Sequence, residues 1–480
     1  MPSAFTFPRL ITALALIFLI LSGGCVNLSP DYVIPSLPEE MPVHYKEGGT
    51  GEDGTLWRPA RPAVSGGNWW GLFADPVLDE LMQSLTRGNQ DIAAAAANLR
   101  AAAAQVTTAR AMMFPVLGGP FSTDRSGSEI LRASSKYSAG FQSSWELSFW
   151  NYIPGVERAL AETQAAAADL AALRLLLQAE LAQNYFLLRS LDSRQALYES
   201  TIGAYKRASD LALSQFRGGL ATRADYDQAE AQLAGAQAQL ASLKRQRAEL
   251  EHGIALLCGK AAPGFSLARA PLPRSVPQIQ PGLPAALLER RPDVAAAERR
   301  VAAANQQIGV ARAAWFPSLT LGGNLLWQAA GWQSAALYTW SLGPGGALNI
   351  FEGGRTAAQS DAAWAQYDRE VANYRQCVLT SLREVEDNLS ALRYLEQEGA
   401  ARTRAAAAAR SALRIALSQY KGGLTTYLQV VSSQTTALSN ESSVIEVQGL
   451  RLVAVVNLIK ALGGGFARAE IDKPVIEARE

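Results

Sequence analysis

The sequence contains few of the residues on which catalytic and metal sites usually depend. Among 480 residues there are only 2 histidines and 3 cysteines. The histidines, His44 and His252, are far apart, and no metal-ligand spacing, phosphate-binding loop or Ser-His-Asp order accompanies them. Cys258 and Cys377 could form a disulfide, but both lie among Ala- and Leu-rich helical sequence, which favours buried thiols. We therefore expect no enzymatic activity, no metal and no cofactor.

A strong net charge is also absent, because 44 Lys and Arg residues nearly balance 43 Asp and Glu residues. The formal net charge of +1 leaves no broad basic surface of the kind that binds nucleic acid, so no nucleic-acid partner is expected. Apolar residues make up 49% of the chain, and much of that fraction is alanine. Stretches of Ala, Gln, Leu and Arg favour helices that pack closely without bulky side chains.

Long hydrophobic runs are missing except near the start, where Leu10–Leu21 follows Arg9. This run is too short to span a bilayer, so residues 1–24 are predicted to be a secretory signal peptide. The small residues after the run end in Cys25, which predicts cleavage before Cys25 and lipid attachment to it. The alternative is an ordinary signal peptide with an incidental cysteine. No later run is long enough to predict a membrane-spanning helix.

One large unit occurs twice in the sequence. Residues 91–117 realign with residues 293–319 at 13 of 27 positions, and residues 212–222 realign with residues 416–426 at 8 of 11. The two offsets, 202 and 204 residues, nearly agree. A period of this length is not that of a solenoid and indicates an internal pseudo-twofold.

Each copy contains sequence with the two-residue period of a β-strand. Apolar and polar side chains alternate strictly over residues 137–149, and similar alternation occurs over 319–328 and 338–350. One face of each predicted strand is apolar and rich in aromatic residues, and the other is polar. We predict one hairpin in each copy, at about 115–150 and 317–351, and hence four strands in the chain.

Two very long helix hairpins are predicted, at about 155–257 and 355–462, each turning at a Gly-Gly pair. A helix of roughly 60 residues extends about 90 Å. The returning helix of the first hairpin carries residues at 4-3-4-3 spacing, which is the period of a left-handed coiled coil. This seam consists of Ala229, Leu233, Ala236, Leu240, Leu243, Arg247, Leu250, Ile254 and Leu257.

Proline- and glycine-rich stretches separate these units. We predict that residues 25–66 form an extended, lipidated N-terminal arm, residues 266–283 a linker and residues 466–480 a C-terminal tail. Between them lie a first structural repeat over 67–265 and a second over 284–465.

Four strands of this kind cannot close a membrane sheet alone. Their alternation is typical of a bacterial outer-membrane barrel, but unpaired strand edges in hydrocarbon cost several kcal/mol per group. Three chains would supply about twelve strands, between the eight that side chains fill and the sixteen that leave a wide channel. We therefore predict a mainly α, trimeric protein in which a 12-strand β-barrel continues into a 12-helix α-barrel. The alternative is a soluble β-sandwich with an attached helical bundle.

Residues 290–317, RRPDVAAAERRVAAANQQIGVARAAWFP, strongly resemble the signature that opens the second repeat in the outer-membrane factor (TolC-like) family. The resemblance covers about residues 27–465 and looks closest to the lipoprotein subgroup that works with RND-type efflux pumps. Other matching stretches are Trp69-Trp70, Phe73–Pro76, Asn89–Ile92 and Ala182–Phe186.

The resemblance implies a homotrimeric channel in the outer membrane of a Gram-negative bacterium, lipid-anchored at the periplasmic side, with an equatorial belt built from the linker and chain ends. The partners it implies are outer-membrane lipid, a periplasmic membrane-fusion adaptor and an inner-membrane RND-type pump. The channel would be a passive exit duct for small molecules. Two alternatives are the outer-membrane duct of a type I protein secretion system and a non-conducting, envelope-spanning structural lipoprotein.

The Gly-Gly turns carry the candidate functional residues. Arg217-Gly218-Gly219-Leu220 and Lys421-Gly422-Gly423-Leu424 end the long helices, because glycine takes the left-handed conformation without a Cβ clash. Thr222 and Thr426 are predicted N-caps of the returning helices, with Asp225 and Gln429 at capping-box spacing. Such residues cap helices in any protein. The resemblance implies in addition that the two tips contact the adaptor.

The resemblance also implies a gate at the second tip, where related channels use a tyrosine and acidic residues. Tyr420 matches the tyrosine, but the acidic position one turn beyond Leu428 is Ser432, and Gln429 is also uncharged. Asp225 and Asp227 of the first copy could supply charge instead. Our hypothesis is a gate held by packing of Tyr420 and Leu428 more than by ions.

Overall fold

Two long helix hairpins and one β-sheet make up the fold. The computed structural model describes residues 27–37, 41–47, 67–128, 133–147, 149–279, 282, 284–331 and 334–468. The predicted signal peptide, Cys25 and residues 469–480 of the predicted tail lie outside these ranges. The helices are α1 (Pro76–Gly88), α2 (Gln90–Ala111), α3 (Tyr152–Arg217), α4 (Arg223–Leu257), α5 (Leu287–Arg290), α6 (Pro292–Ala313), α7 (Arg355–Lys421) and α8 (Tyr427–Ala461). The strands are β1 (Val116–Gly118), β2 (Phe121–Ser126), β3 (Ser134–Glu146), β4 (Ser318–Ala329) and β5 (Leu337–Ala347).

The long helices α3 and α7 contain 66 and 67 residues, so each extends about 100 Å. Each is followed by a returning helix of 35 residues, α4 or α8. Most of the coiled-coil seam predicted on α4 is buried, including Leu243 and Ile254, while Leu240, Arg247 and Leu250 are half-buried. Arg247, a polar member of the seam, pairs with Asp192 of α3 at 2.7 Å. The 3.5-residue period therefore identified the face of α4 that packs within the hairpin.

The strands form one antiparallel sheet in which β3 pairs with β4 and β4 pairs with β5. On its other edge, β3 pairs with both β1 and β2. The sequence predicted a single strand here, and the structure divides it at Gly119-Pro120 because proline has no N–H to donate to the ladder. The carbonyl oxygen of Pro120 still accepts from Gly140 N at 3.0 Å. β3 also ends at Glu146, three residues before the end that strict alternation predicted.

Both edges of the described sheet are open, since β5 bonds only to β4, and β1 and β2 bond only to β3. Large apolar side chains on the edge strands are exposed, including Phe121 (87%) and Trp340 (70%). The rings of Phe141 and Trp327 lie 6.4 Å apart, and those of Trp327 and Tyr338 lie 6.0 Å apart. Unpaired edges beside an exposed aromatic surface indicate that this sheet is one section of a larger one.

The helices form one layer, in which the helices of the first repeat lie beside those of the second, as the strands do in the sheet. α3 packs against α2 and α4 on one side and against α6 and α8 on the other, and α7 packs against α6 and α8. In the described chain, the remaining side of α7 and that of the α2–α4 pair have no extensively packed neighbour. The layer and the sheet are thus open at corresponding flanks, at the start of the first repeat and at the end of the second.

The duplication is also visible where each returning helix meets the helix that precedes the strands. Asn89 Nδ2 donates to Leu257 O at 2.9 Å, and Arg291 Nη1 donates to Ala461 O at 3.0 Å. The two donors are 202 residues apart and the two acceptors 204 residues apart, as the sequence offsets require. The pseudo-twofold therefore relates individual hydrogen bonds as well as whole helices.

Two glycines mark the same junction. Gly259 and Gly463 have φ values of +67° and +90°. A Cβ at either position would lie 2.0 Å from a backbone carbonyl oxygen, that of Gly88 or that of Arg290. Only glycine fits both the left-handed conformation and this close approach.

The described part of the N-terminal arm lies along α6 and α7. Leu28 O accepts from Arg312 Nη1 at 3.1 Å, close to the end of α6 that leads into the sheet. Farther along, Tyr32 Oη is hydrogen-bonded to the buried carboxylate of Glu298. The backbone N–H groups of residues 46 and 47 then donate to Glu386 of α7 at 2.7 and 2.9 Å. The arm thus runs from the sheet end of the helical layer towards its middle.

Helix α8 is long and apolar enough, by length and composition, to cross a membrane, with a mean hydropathy of 1.5 over its best window. The sequence alone does not predict such a helix. Half of that window is buried inside the protein, and Leu452 and Leu458 belong to the main core together with Leu181 and Phe186 of α3. We therefore interpret α8 as a packed core helix, whose hydropathy reflects burial against α3 and α7.

Candidate functional site at the hairpin tips

The first tip, between α3 and α4, is stabilised by its own hydrogen bonds. α3 ends at Arg217, and Gly219 has a φ of +70°. Asp225 N donates to Thr222 Oγ1 at 3.3 Å, and Thr222 N donates to Asp225 Oδ2 at 3.1 Å. These reciprocal bonds form the predicted capping box. The Asp225 carboxylate is therefore engaged in capping its own helix.

The second tip, between α7 and α8, repeats the turn but not the cap. α7 ends at Lys421, and Gly423 has a φ of +72°. Thr426 is the N-cap residue of α8, but its side chain makes no capping hydrogen bond. Gln429 N instead donates to the backbone oxygen of Thr426 at 3.2 Å, so the donor that a capping hydroxyl would use is already satisfied. The capping box predicted from the Thr426–Gln429 spacing is not formed.

Two tyrosines pack the second tip against the first. Tyr420 Oη donates to Gln215 Oε1 at 3.0 Å, which links the end of α7 to the end of α3. The rings of Tyr420 and Tyr427 lie 5.2 Å apart, and Tyr427 is only 4% exposed. The cluster around Tyr427 contains Ala212, Ala229, Ala416 and Val430. Contacts between the tips therefore come from α3, α4, α7 and α8 of one chain.

Burial controls the ionisation of both phenols. It raises the pKa of Tyr427 to about 12, with smaller contributions from Tyr420, Tyr205 and Asp225. Burial also raises the pKa of Tyr420, and the nearby negative charge of Asp225 raises it further. Both tyrosines are therefore neutral at physiological pH and act through packing and hydrogen bonding.

Tyr420 is predicted from the sequence as a functional residue, whereas Tyr427 is not. Tyr427 is the first residue of α8, where no periodic pattern yet marks a side chain as buried. The available signal was its seven-residue spacing from Tyr420 across the turn. The predicted gate residues Leu428, Gln429 and Ser432 lie on an exposed surface of α8, and Leu428 is 60% exposed. Within the chain, Tyr427 occupies the packing position that the hypothesis assigned to Leu428.

The two tips differ in charge. Residues 422–440 contain no Asp, Glu, Lys or Arg, whereas the first tip has Arg223, Asp225 and Asp227 within five positions. Arg223 and Asp227 form an exposed ion pair at 3.6 Å. The exposed surface at the start of α8 is consequently uncharged.

Each tip also presents an exposed leucine. Leu220 is 84% exposed and Leu424 is 81% exposed. Each lies three residues after a basic residue, Arg217 or Lys421, at the outermost turn of a long hairpin. Exposed apolar side chains beside a cation are typical of a protein contact surface.

A buried ionic network attaches the linker to the middle of the first hairpin. Asp192 pairs with Arg189 at 3.0 Å and with Arg247 at 2.7 Å, and Arg247 also pairs with Glu251 at 3.0 Å. Both arginines donate at 2.7 Å to linker carbonyl oxygens, those of residues 267 and 268. The linker is thereby held across the helical layer, far from the tips.

The scarce residues form no cluster in the described part of the chain. His44 and His252 are exposed, the first in the arm and the second on α4. Cys258 and Cys377 are both free thiols, buried and half-buried respectively. Among the described residues, no group of three or more His, Cys, Asp or Glu side chains is placed to hold a metal ion.

Comparison with protein families finds a match to the outer membrane efflux protein model over residues 81–260 and 283–464. Curated relatives include the solvent efflux pump outer membrane protein SrpC of Pseudomonas putida, 30% identical over 469 residues, covering 95% of this chain and 98% of that protein. The pyoverdine export outer membrane protein OpmQ of Pseudomonas aeruginosa is 30% identical over 415 residues, covering 83% and 87%.

Solved structures with the same arrangement include the outer-membrane channel OprN, with a TM-score of 0.81 at 29% identity, covering 92% of this chain and 99% of that one. The open state of the MtrE outer membrane channel of Neisseria gonorrhoeae gives a TM-score of 0.76 at 25% identity, covering 92% and 99%. The similarity in each case extends over nearly the whole of both chains.

Proposed function

This chain belongs to the outer membrane efflux protein family, and we propose that it is the passive exit duct for small molecules that an inner-membrane RND-type pump delivers through a periplasmic membrane-fusion adaptor. The fold class predicted from the sequence, the duplicated unit of a trimeric channel in which a β-barrel continues into an α-barrel, is confirmed. The protein is an outer-membrane component of an efflux system, as the resemblance implied.

The observation that carries the proposal is the pair of open flanks. The sheet and the helical layer end at corresponding places, so one set of neighbours can complete both. Three copies joined at these flanks give a barrel of about twelve strands, which pairs every edge N–H and C=O group that lipid cannot satisfy. The exposed aromatic side chains of the edge strands would then face lipid. A closed tube of this kind supports passive conduction as its activity.

The cargo proposal rests on what the relatives are named for. SrpC is named for solvent efflux and OpmQ for pyoverdine export, and neither name refers to a secreted protein. These names favour small-molecule efflux over type I protein secretion.

We assign adaptor contact to the two tips, residues Arg217–Leu220 and Lys421–Leu424. Leu220 and Leu424 are exposed at the end farthest from the sheet, and each has a cation beside it. Docking would bury these leucines while leaving the glycine turns unstrained. Burial of a leucine side chain contributes about 2 kcal/mol, so six leucines in a trimer would make a substantial contact.

We assign the gate to the contact between the tips. The bond from Tyr420 to Gln215 and the burial of Tyr427 hold the second tip against the first. Leu428, Gln429 and Ser432 would line the narrow end as an uncharged surface. Asp225 influences this region through its charge, although its carboxylate is already used in capping.

Lipid attachment at Cys25 is supported by the position of the arm. Cys25 precedes Leu28 by three residues, and three residues span at most about 11 Å in a fully extended chain. Leu28 is bonded to Arg312, six residues before the first residue of β4. A lipid on Cys25 would therefore reach the membrane around the sheet. Palmitate labelling that disappears in Cys25→Ser would support this, and unlabelled wild-type protein would contradict it.

The function can be tested on the full-length protein purified from outer membranes. We expect a trimeric mass in detergent, discrete conductance in planar bilayers, and accumulation of small dyes in cells from which the protein is removed. A folded, membrane-inserted monomer would contradict the barrel. A trimer that passes no current would favour the structural spacer, and unchanged dye efflux with lost polypeptide export would favour type I secretion.

A further inference from the structure

The register of the strands separates the sheet into an apolar face and a face of small and polar side chains. Trp145 and Leu321 are register partners on the apolar face. Their chain neighbours Glu146 and Thr320 are register partners on the other face, together with Gly345. In an outer-membrane barrel the apolar face contacts lipid and the second face lines the lumen. Glu146 therefore belongs to the lumen-facing side of the sheet, and it is exposed.

Charge is scarce on this lumen-facing side. Among the described strand residues, the other charged positions that share it are Asp124 and Lys136, which are register partners of opposite sign. Lys136 and Glu146 are ten positions apart on β3, which corresponds to about 33 Å. The partner of Glu146 is Thr320, so no basic residue lies opposite the carboxylate. At the end of the sheet that joins the helices, the negative charge of Glu146 is therefore unbalanced.

The lumen-facing charges of the adjoining tube occur in pairs of opposite sign. The arm lies on the face of α6 that carries Glu298 and Arg312, and a lipid-anchored arm lies outside the tube. A groove between α3 and α7 opens on the opposite face of α6, at Arg300 and Gln307, and therefore faces the lumen. The charged residues that line it are paired as follows: Arg158 with Glu162 at 3.9 Å, Arg300 with Asp169 at 2.5 Å, and Glu370 with Arg369 at 2.8 Å. This groove consequently adds little net charge to the lumen.

A trimer places three Glu146 carboxylates at the same height. Twelve strands about 4.8 Å apart and tilted by about 40° enclose a backbone radius of roughly 12 Å, so carboxylates that project inward lie about 15 Å from one another. A single cation cannot contact two carboxylates at that separation. The three charges therefore act on passing ions through their electrostatic potential, without forming a binding site.

We propose, building on the trimeric barrel of the proposed function, that Glu146 makes the membrane section of this channel prefer cations to anions. A ring of one sign of charge raises the local concentration of counter-ions and lowers that of co-ions. The Debye length is about 30 Å at 0.01 M salt, about 10 Å at 0.1 M and about 3 Å at 1 M. The potential of the ring thus reaches the centre of the lumen at low salt and is screened at high salt.

The preference applies to cargo as well as to salt ions. Small organic cations enter the barrel more readily than anions of the same size when the ionic strength is low. The uncharged start of α8 at the far end of the tube provides no comparable charge on the second tip. Selectivity by charge and closure by packing are thereby assigned to opposite ends of the molecule.

The proposal can be tested with the full-length trimer in planar bilayers, from the reversal potential under a gradient between about 0.01 M and 0.1 M KCl. The wild-type channel should prefer K⁺, and Glu146→Gln should lower the ratio of K⁺ to Cl⁻ permeability at least twofold. Glu146→Lys should shift the ratio further towards Cl⁻. All differences should disappear near 1 M KCl. Because the variants share one tube, the difference between them isolates the charge at this position.

Two matched variants separate the charge from its position in the sequence. Glu146→Gln combined with Thr320→Glu moves the carboxylate to the neighbouring strand at the same height, and should restore the wild-type ratio. Lys136→Gln leaves the charge of Asp124 unbalanced on the same face, and should raise the ratio. Thr320→Glu alone should also raise it, and this variant decides the proposal if Glu146→Gln fails to assemble.

The outcomes distinguish this proposal from the proposed function. A conducting Glu146→Gln trimer with an unchanged ratio at low salt would overturn the role of Glu146 and leave the duct intact. Failure of Thr320→Glu to restore or raise the ratio would also overturn it, since the lumen-facing register would then be wrong. A wild-type trimer that passes no current would instead overturn the proposed function.

Discussion

The two hairpin tips have nearly the same sequence at the turn but are stabilised in different ways. The first tip contains a complete capping box and an ion pair, all within residues 222–227. The second lacks the side-chain cap, has no charge over residues 422–440, and depends on Tyr420 and Tyr427 packing against the first. The first tip is therefore held partly by hydrogen bonds within itself, whereas the second is held mainly by packing against the first. The gate proposed for the second tip depends on this difference, because a segment held by packing alone can move while its support stays in place.

The largest effect is expected from Tyr427→Ala, which removes the buried ring that joins the tips. Truncating a buried aromatic residue costs about 3–5 kcal/mol, enough to detach the second tip from the first. We expect higher conductance in planar bilayers and faster amide exchange over residues 416–434. The matched control is Tyr226→Ala at the first tip, where the tyrosine is only partly buried. Equal exchange rates in the two variants would show that the tips do not differ as described.

A smaller effect is expected from Tyr420→Phe, which removes the hydrogen bond to Gln215 and keeps the ring. One such bond contributes about 1 kcal/mol, or roughly a fivefold shift in the ratio of open to closed tips. Single-channel recording should show this shift. Gln215→Ala should give a similar shift, and the double variant should show no further one. Additive effects would mean that the two side chains act independently.

The contrast between these tyrosines shows what the sequence could and could not predict. Duplication, the 3.5-residue seam and strand alternation are repeated signals, so they located the hairpins, the sheet and the open flanks. Structural features that depend on a single residue produce no repeated signal in the sequence. Pro120 interrupts an edge strand, and Tyr427 is buried at the first position of its helix by residues that are distant in sequence.

The caps offer a comparison of the same residue type in equivalent positions. Thr222→Ala should destabilise the start of α4 by about 1 kcal/mol, because Thr222 Oγ1 accepts from Asp225 N. Thr426→Ala should change the stability of α8 by much less, because the Thr426 side chain makes no capping bond. Amide exchange in the first turn of each helix measures both effects. A larger effect at Thr426 than at Thr222 would contradict this, and would mean that the Thr426 side chain caps α8 as the sequence spacing predicts.

The smallest effect is expected from cations, and it tests whether charge or packing holds the second tip. A ring of carboxylates at the narrow end would concentrate multivalent cations and be blocked by them. The exposed start of α8 has no carboxylate, and Asp225 is bonded to both the N–H and the hydroxyl of Thr222. Conductance should therefore fall little when a trivalent cation is added, and Asp225→Asn should alter that response by less than about twofold. A strong block that Asp225→Asn relieves would instead place an ionic gate on the first tip, and the tip assigned here as fixed would be the one that controls passage.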